Sequence, residues 1–318
     1  MATISDILNV VQCASGDALG TGTKGRPMNL KKTASFWFTT KDFKFDSTRT
    51  LNNAYIEELK ASGDLTIVKG IKTFEDNSSD DTIETLSDQT SSVASLGLYQ
   101  FNVQFVNGIY FQAALTSLRS FGTRNVIFVD VENNIFGTKA SDGSLKGFST
   151  NMVNPGRLSF PTDSEGIQKQ SLAFQLSERD EVDKNYIFID ECSLEDGFYP
   201  KTIDGVNEVV LSFASVPTDG ATSISVKAIL KQDGSAFTGA NIGTTNIQFL
   251  VTEGSSTSNI VTSVAEPSTG TYTLTVGTLA TNDVLKVSLY DNTNSRIGIV
   301  LDSEVFKSNT DSVVVQGS

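Results

Sequence analysis

A chain of 318 residues is long for one domain and suggests two, and 38% hydrophobic with 19% charged residues is the balance of a folded protein. The formal net charge of −13 argues against an electrostatic grip on nucleic-acid phosphates, which rests on Lys and Arg displacing counterions. There is no histidine, so Ser-His-Asp and Cys-His catalysis and histidine-ligated metals are excluded.

Cys13 and Cys192 stand far apart and form no C-x-x-C pair, which removes zinc knuckles and dithiol redox motifs. Two free, mostly buried thiols are expected. The first residues carry no basic region ahead of an apolar run, and no stretch approaches the ~20 apolar residues of a membrane span. The expectation is a soluble protein made in a cytoplasm, with no membrane partner.

Residues 1–11 read as a short helix or arm. Residues 13–30 hold Gly16, Gly20, Gly22 and Gly25 before Pro27 and predict an extended arm or loop. A strand is expected over 34–45, rich in Phe and Trp, then a helix over 53–61 ending near Gly63, then a strand over 65–74. Residues 75–96 are polar and acidic. Beyond them Tyr99, Phe101, Val103 and Phe105 alternate with Gln100, Asn102 and Gln104, the period of a half-buried strand. Asn107-Gly108 signals a turn, and Phe111, Ala114, Leu115 and Leu118 fall at helical spacing. Strands are expected over 125–131, 135–139 and 171–177, giving a first domain that is mainly β with one central helix.

Residues 196–205 read as a hinge. Beyond it the chain turns rich in Thr, Ser, Val and Ile, with strands suggested at 209–213, 223–230, 246–251, 271–276, 284–290, 298–301 and 312–315. Seven short strands in about 110 residues is the pattern of an immunoglobulin-like sandwich. The expected domains are 1–203 and 204–318.

The candidate chemistry is thin. Gly20-Thr21-Gly22-Thr23-Lys24-Gly25 matches G-x-G-x-x-G, but Arg26-Pro27 breaks the helix a dinucleotide site requires. Asp76, Ser78, Asp80 and Asp81 resemble the start of a calcium loop, yet Asp81 stands where the turn glycine is needed and Ser87 where the bidentate Glu is needed. Adjacent acids such as Glu75-Asp76, Asp80-Asp81 and Glu178 to Glu181 do not face each other across a substrate as a glycosidase pair must. The residues point to no enzyme, no catalytic residue, no cofactor and no metal.

The segments "LYQFNVQFVNG", "YFQAALTSLRSF", "RNVIFVDVENNIFGT" and "QSLAFQLSERDEVD", after a glycine-rich arm and a long polar loop, resemble the major tail (tail tube) proteins of tailed bacteriophages. "VKAILKQDGSAFTG" and "STGTYTLTVGTL" look like the immunoglobulin-like domains appended to virion proteins. The resemblance implies a β-sandwich or barrel subunit in hexameric rings stacked as a tube in the virion tail. It also implies other tail proteins as partners, and DNA passing through a negative lumen without specific binding. Under it the arm 13–30 (Gly20, Gly22, Lys24) and the loop 75–96 (Asp76, Asp80, Asp81, Glu84, Asp88) are assembly contacts. The alternatives are a neck, baseplate, head-decoration or fibre protein, or a surface glycan-binding adhesin suggested by the Ser/Thr-rich second domain.

Overall fold

The computed structural model describes residues 3–10, 30–85, 90–161 and 166–317. Cys13, Gly20, Gly22, Lys24 and Asp88 lie outside the described residues. The fold is mainly β and divides into two compact units, Met1–Tyr55 with Leu65–Asp204, and Ile56–Asp64 with Gly205–Ser318. No helix among the described residues is long and apolar enough to cross a membrane.

In chain order come helix α1 (Ile4–Val10), strand β1 (Thr33–Thr40), helix α2 (Asn53–Ser62), and strands β2 (Leu65–Lys69), β3 (Ile71–Asp76), β4 (Thr82–Thr85), β5 (Ser91–Ser95) and β6 (Gln100–Phe105). Helix α3 (Ile109–Thr116) is followed by β7 (Arg124–Asp130), β8 (Ile135–Lys139), β9 (Leu145–Lys146), β10 (Phe148–Pro155), β11 (Gln170–Leu176), helix α4 (Arg179–Asp183) and β12 (Tyr186–Ile189). The described residues thus hold four α-helices; an N-terminal helix or arm, a helix over 53–61 and a central helix were expected, and α4 was not. Helix α1 starts with a reciprocal cap: the Asp6 carboxylate accepts the Thr3 N–H at 2.8 Å, and the Thr3 hydroxyl accepts the Asp6 N–H at 3.3 Å. Residues 65–74, read above as one strand, are two. Gly70 at φ +82 turns the chain between β2 and β3, and a side chain there would run into that of Asn107.

The main sheet of the first unit runs β12-β8-β7-β10-β11-β6-β3, with β1 joined to β7 and β2 to β1. Strand β7 is the branch point. Its whole length pairs with β1, while on its other side Phe128 and Val129 pair with β8 and Val126 and Asn125 with β10. A strand occupied on both edges and covered on both faces reads as a continuous apolar run, which is why "NVIFVD" is buried throughout.

The interior between these strands is aromatic. Phe36 and Phe38 of β1 point the same way, and Phe74, Phe101, Phe128, Phe148 and Phe174 join them in one cluster with Val103, Val126, Val153 and Leu172. Phe128 sits edge-on to Phe36 at 5.5 Å and to Phe101 at 5.5 Å, and lies 6.0 Å from Phe174. Edge-on arrangements are favoured by the ring quadrupole. The stripe Tyr99, Phe101 and Phe105 belongs to this packing.

The second unit adds β13 (Val206–Phe213), β14 (Ser223–Leu230), β15 (Phe249–Glu253), β16 (Ser263–Ser268), β17 (Thr271–Thr275), β18 (Val284–Leu289), β19 (Ile299–Leu301), β20 (Glu304–Ser308) and β21 (Asp311–Val314). One sheet has the order β16-β17-β14-β13-β20-β19 and the other β15-β18-β21. Their inner faces share one core, with Val226 and Leu274 from the first sheet and Phe249, Leu285 and Val287 from the second, so this unit is the expected immunoglobulin-like sandwich. It has nine strands, not seven. The two missed are β16, whose alternation is broken by a bulge and Pro267, and β20, which pairs in parallel with β13.

Candidate functional site

The described parts of the polar stretch, 75–85 and 90–96, form a ribbon at the edge of the sheet. Strands β3 and β6 pair antiparallel out to Asp76 opposite Phe101, so the chain between them must leave and return at the same edge. Its foot is closed by local bonds. The Asp76 carboxylate accepts the Ser78 N–H at 3.0 Å, the Ser78 hydroxyl accepts the Gln100 N–H at 3.1 Å, and the Asn77 N–H donates to the Gln100 carbonyl at 2.8 Å.

Beyond the foot β4 and β5 pair only with each other. Ile83 stands opposite Val93, Glu84 opposite Ser92 and Thr85 opposite Ser91, and all nine residues of the two strands are exposed. Ile83 and Val93 share one face, as a directly opposed pair must. An excursion read as a loop is therefore an ordered two-stranded ladder, favoured by β-branched Thr82, Ile83, Thr85 and Val93.

Such a ribbon is marginal by itself, so what fixes its base matters. The Asp81 carboxylate accepts the Gly97 N–H at 2.9 Å and pairs with the Arg179 guanidinium, which also binds Asp183 at 2.7 Å. The Tyr99 hydroxyl donates to Asp183 at 2.6 Å. Helix α4, which carries Arg179 and Asp183, is itself tied down. Its Glu181 accepts from the Ser149 N–H at 2.6 Å and from the Lys146 ammonium at 3.0 Å. The Gly97 N–H holds the Asp81 carboxyl below its usual range, with the Arg179 contact adding to the effect against some loss of hydration. For Asp183 burial pushes upward, but bonds from Tyr99 and Arg179 outweigh it and the net direction is down.

Two predictions follow from this base. A Cβ on Gly97 would overlap the Ser79 carbonyl oxygen and stand 2.7 Å from that carbonyl carbon and 3.0 Å from the Asp80 carbonyl carbon. Gly97→Ala should therefore splay the ribbon at a local cost of about 1–3 kcal/mol, seen as faster amide exchange and protease cutting between 79 and 97 with the aromatic core unchanged. Tyr99 is the second case. Its bond to Asp183 pushes its hydroxyl up to about 12, with burial adding to the effect. A raised pKa means that this contribution is complete below the ordinary tyrosine value of 10.0 and is lost as pH rises through about 12. An absorbance titration of tyrosinate should show this late component, and Asp183→Asn should bring it back toward 10.0.

The candidate acids thus separate. Asp76 and Asp81 are bonded within the ribbon's base, Asp80 and Glu84 face outward, and Asp88 lies outside the described residues. Among the described residues no three acidic or cysteine side chains are grouped to hold a metal. Arg179, Asp183 and Tyr99 had no local signal as ribbon anchors, since Asp81 and Arg179 are 98 positions apart.

A shallow cleft elsewhere is lined by Glu132, Asn133, Asn134, Glu191, Cys192 and Lys201. Its polar groups bind one another: the Asn133 amide donates to Glu191 at 2.7 Å and the Lys201 ammonium to the Val131 carbonyl at 2.9 Å. The cleft is the knot that fastens the β7–β8 turn. Cys192 is exposed beside it as a free thiol, contrary to the burial expected, because it sits on a short surface turn capped by Asp190.

No family model and no curated protein matches the chain. Among solved structures it is similar to the Bacteroides ovatus mixed-linkage glucan utilization locus SGBP-B in complex with a mixed-linkage heptasaccharide. The identity is 13% and the TM-score 0.21, over 80% of this chain and 62% of that chain. The chain therefore spans less than two thirds of that protein's length.

Proposed function

We propose that this chain is a self-assembling structural protein of the tail-tube kind its sequence resembles, and that the β4–β5 ribbon is a contact element between copies. The observation that carries the reading is the ribbon itself. It exposes the opposed apolar pair Ile83 and Val93 and pairs with no further strand among the described residues, yet ionic and hydrogen bonds hold its base in place. Soluble proteins usually blunt free strand edges, because an unpaired row of N–H and C=O groups invites another chain. A ribbon held out and anchored in this way fits a surface meant to be covered on assembly.

On this reading the copies form rings that stack, in a virion tail whose other proteins are further partners. The net charge of −13 keeps passing DNA from adhering to the lumen. The chemistry required is association, with no catalytic step. Sedimentation velocity of the full chain over a concentration series tests it. The expected result is conversion of monomer to discrete larger species as concentration rises, and monomer throughout would overturn the reading.

A further inference from the structure

Helix α3 covers its sheet with Phe111, Leu115 and, just past its end, Leu118, yet leaves other apolar side chains in water. It lies along the β10–β11 hairpin, tied by the Asn107 N–H to the Gln170 side-chain oxygen at 2.9 Å and by the Gln112 amide to the Gly156 carbonyl at 2.9 Å. The Ser120–Val153 backbone pair at 3.0 and 2.9 Å completes the ties. Within the helix the buried residues are Gln112 and Leu115, while Ile109, Tyr110, Ala113 and Ala114 are exposed. Beside that apolar contact the buried side also holds polar groups that are incompletely bonded. The Gln112 side-chain oxygen, the Ser120 hydroxyl and the Gln170 side-chain nitrogen are buried without a partner.

Leaving such groups unpaired costs free energy, and an apolar face left in water gains nothing in return. Phe121 lies just past the helix, and Phe160 and Ile167 lie in the β10–β11 connection. With Ile109 and Tyr110 these are between 57% and 77% exposed. Ile109 and Tyr110 are neighbours on α3, and large apolar side chains this exposed on one element mark a surface suited to being covered.

The chain carries a matching element. Segment 75–96 has six acids (Glu75, Asp76, Asp80, Asp81, Glu84 and Asp88) and no base, and its β4–β5 ladder presents Ile83 and Val93 outward. Segment 106–125 has two arginines (Arg119 and Arg124) and no acid, and Arg157 is exposed beside it. Of these charges Glu75, Asp80 and Glu84 beside the apolar pair are exposed, and so are Arg119 and Arg157 beside α3, so the two elements are complementary in sign as well as both apolar.

We propose that the outward face of α3, with Ile109 and Tyr110, receives the β4–β5 ribbon of a second copy. This rests on the assembly reading above and makes it specific, because the contact is then head-to-tail. Each copy offers one ribbon and one α3 face, so association continues until it closes as a ring or grows as a filament. A ribbon-to-ribbon contact would instead stop at pairs.

The polarity supplies the test. One variant has residues 79–97 replaced by Asn-Gly and keeps its α3 face. Another, Ile109→Asp with Tyr110→Asp, keeps its ribbon; both positions are exposed, and Ala113→Glu on the same face serves if the double variant fails to melt cooperatively. Sedimentation velocity of each alone should show association weakened by about a hundredfold or more, as for loss of a central apolar anchor. An equimolar mixture should yield a one-to-one dimer and nothing larger. If the α3 variant assembles like the unaltered chain, or the mixture stays monomeric, the α3 assignment is overturned while ribbon-dependent assembly of the unaltered chain stands. If the unaltered chain does not associate at all, both readings fall.

Discussion

Phe128→Ala is expected to lower the stability of the first unit by about 3–5 kcal/mol, the range for removing a buried aromatic side chain from a packed interior. The position is demanding for two reasons. Its ring has ring neighbours on six other strands, Phe36 of β1, Phe74 of β3, Phe101 of β6, Phe136 of β8, Phe148 of β10 and Phe174 of β11, all with centroids within 6.4 Å. Its backbone lies where β7 pairs with β1 on one side and β8 on the other, so the strand cannot move in to fill the space. Urea unfolding followed by aromatic circular dichroism should show the midpoint shifted to lower denaturant with the slope kept. Phe128→Leu should recover part of the loss, since more of the volume is restored. An unchanged midpoint would mean that the aromatic cluster is not what holds the sheets together.

The second large effect separates folding from assembly. Replacing residues 79–97 by Asn-Gly, a pair suited to a tight hairpin turn, should join β3 to β6 directly with the thermal midpoint nearly unchanged. The reason is geometric: Ser79 and Gly97 are adjacent across the foot of the ribbon, and the bonds that close that foot, Asn77 to Gln100 and Gln100 to Ser78, lie outside the excised part. The nine ladder residues removed are all exposed, so little apolar burial is lost. A cut from 76 to 92 would be worse placed, because Asp76 belongs to β3 and β5 would be left without its partner. Self-association should disappear while the far-ultraviolet spectrum and melting stay close to those of the unaltered chain. A shortened chain that assembles normally would remove the ribbon from the account.

What could be read from the sequence was whatever its own periodicity carried. The alternation from Tyr99 to Phe105, the apolar run ending at Val131 and most strands of the sandwich are local patterns, and the structure places strands there. Strand β10 escaped because "FSTNMVNP" mixes polar residues on a strand that serves two neighbours in turn, β7 at one end and β11 over most of its length. Helix α3 was found from its spacing, and Phe111, Leu115 and Leu118 pack on the core as that spacing implies, while Ala114 is exposed and Gln112 is buried in its place. The acidic stretch hid a ladder because its strands hold Ser, Thr and Glu with only one apolar cross-strand pair, below what a period of two needs to show. Its anchor lies in α4, about a hundred positions away, where nothing local distinguishes Arg179 and Asp183 from a charged surface turn.

The same physical division explains why site and fold were not equally legible. Core positions are selected by burial, which leaves a pattern in every strand, whereas the ribbon's base is a convergence of Asp81, Gly97, Tyr99, Arg179 and Asp183 that only the folded chain assembles. Of the acids singled out at the start, Asp81 is bonded within the chain, and Asp80 and Glu84 are exposed.

Negative-stain electron microscopy of the intact chain at concentrations where sedimentation shows growth tests the central claim most directly. Closed rings or stacked tubes of uniform width, absent when residues 79–97 are replaced by Asn-Gly, are the predicted result. A field of single separate particles at every concentration would contradict it.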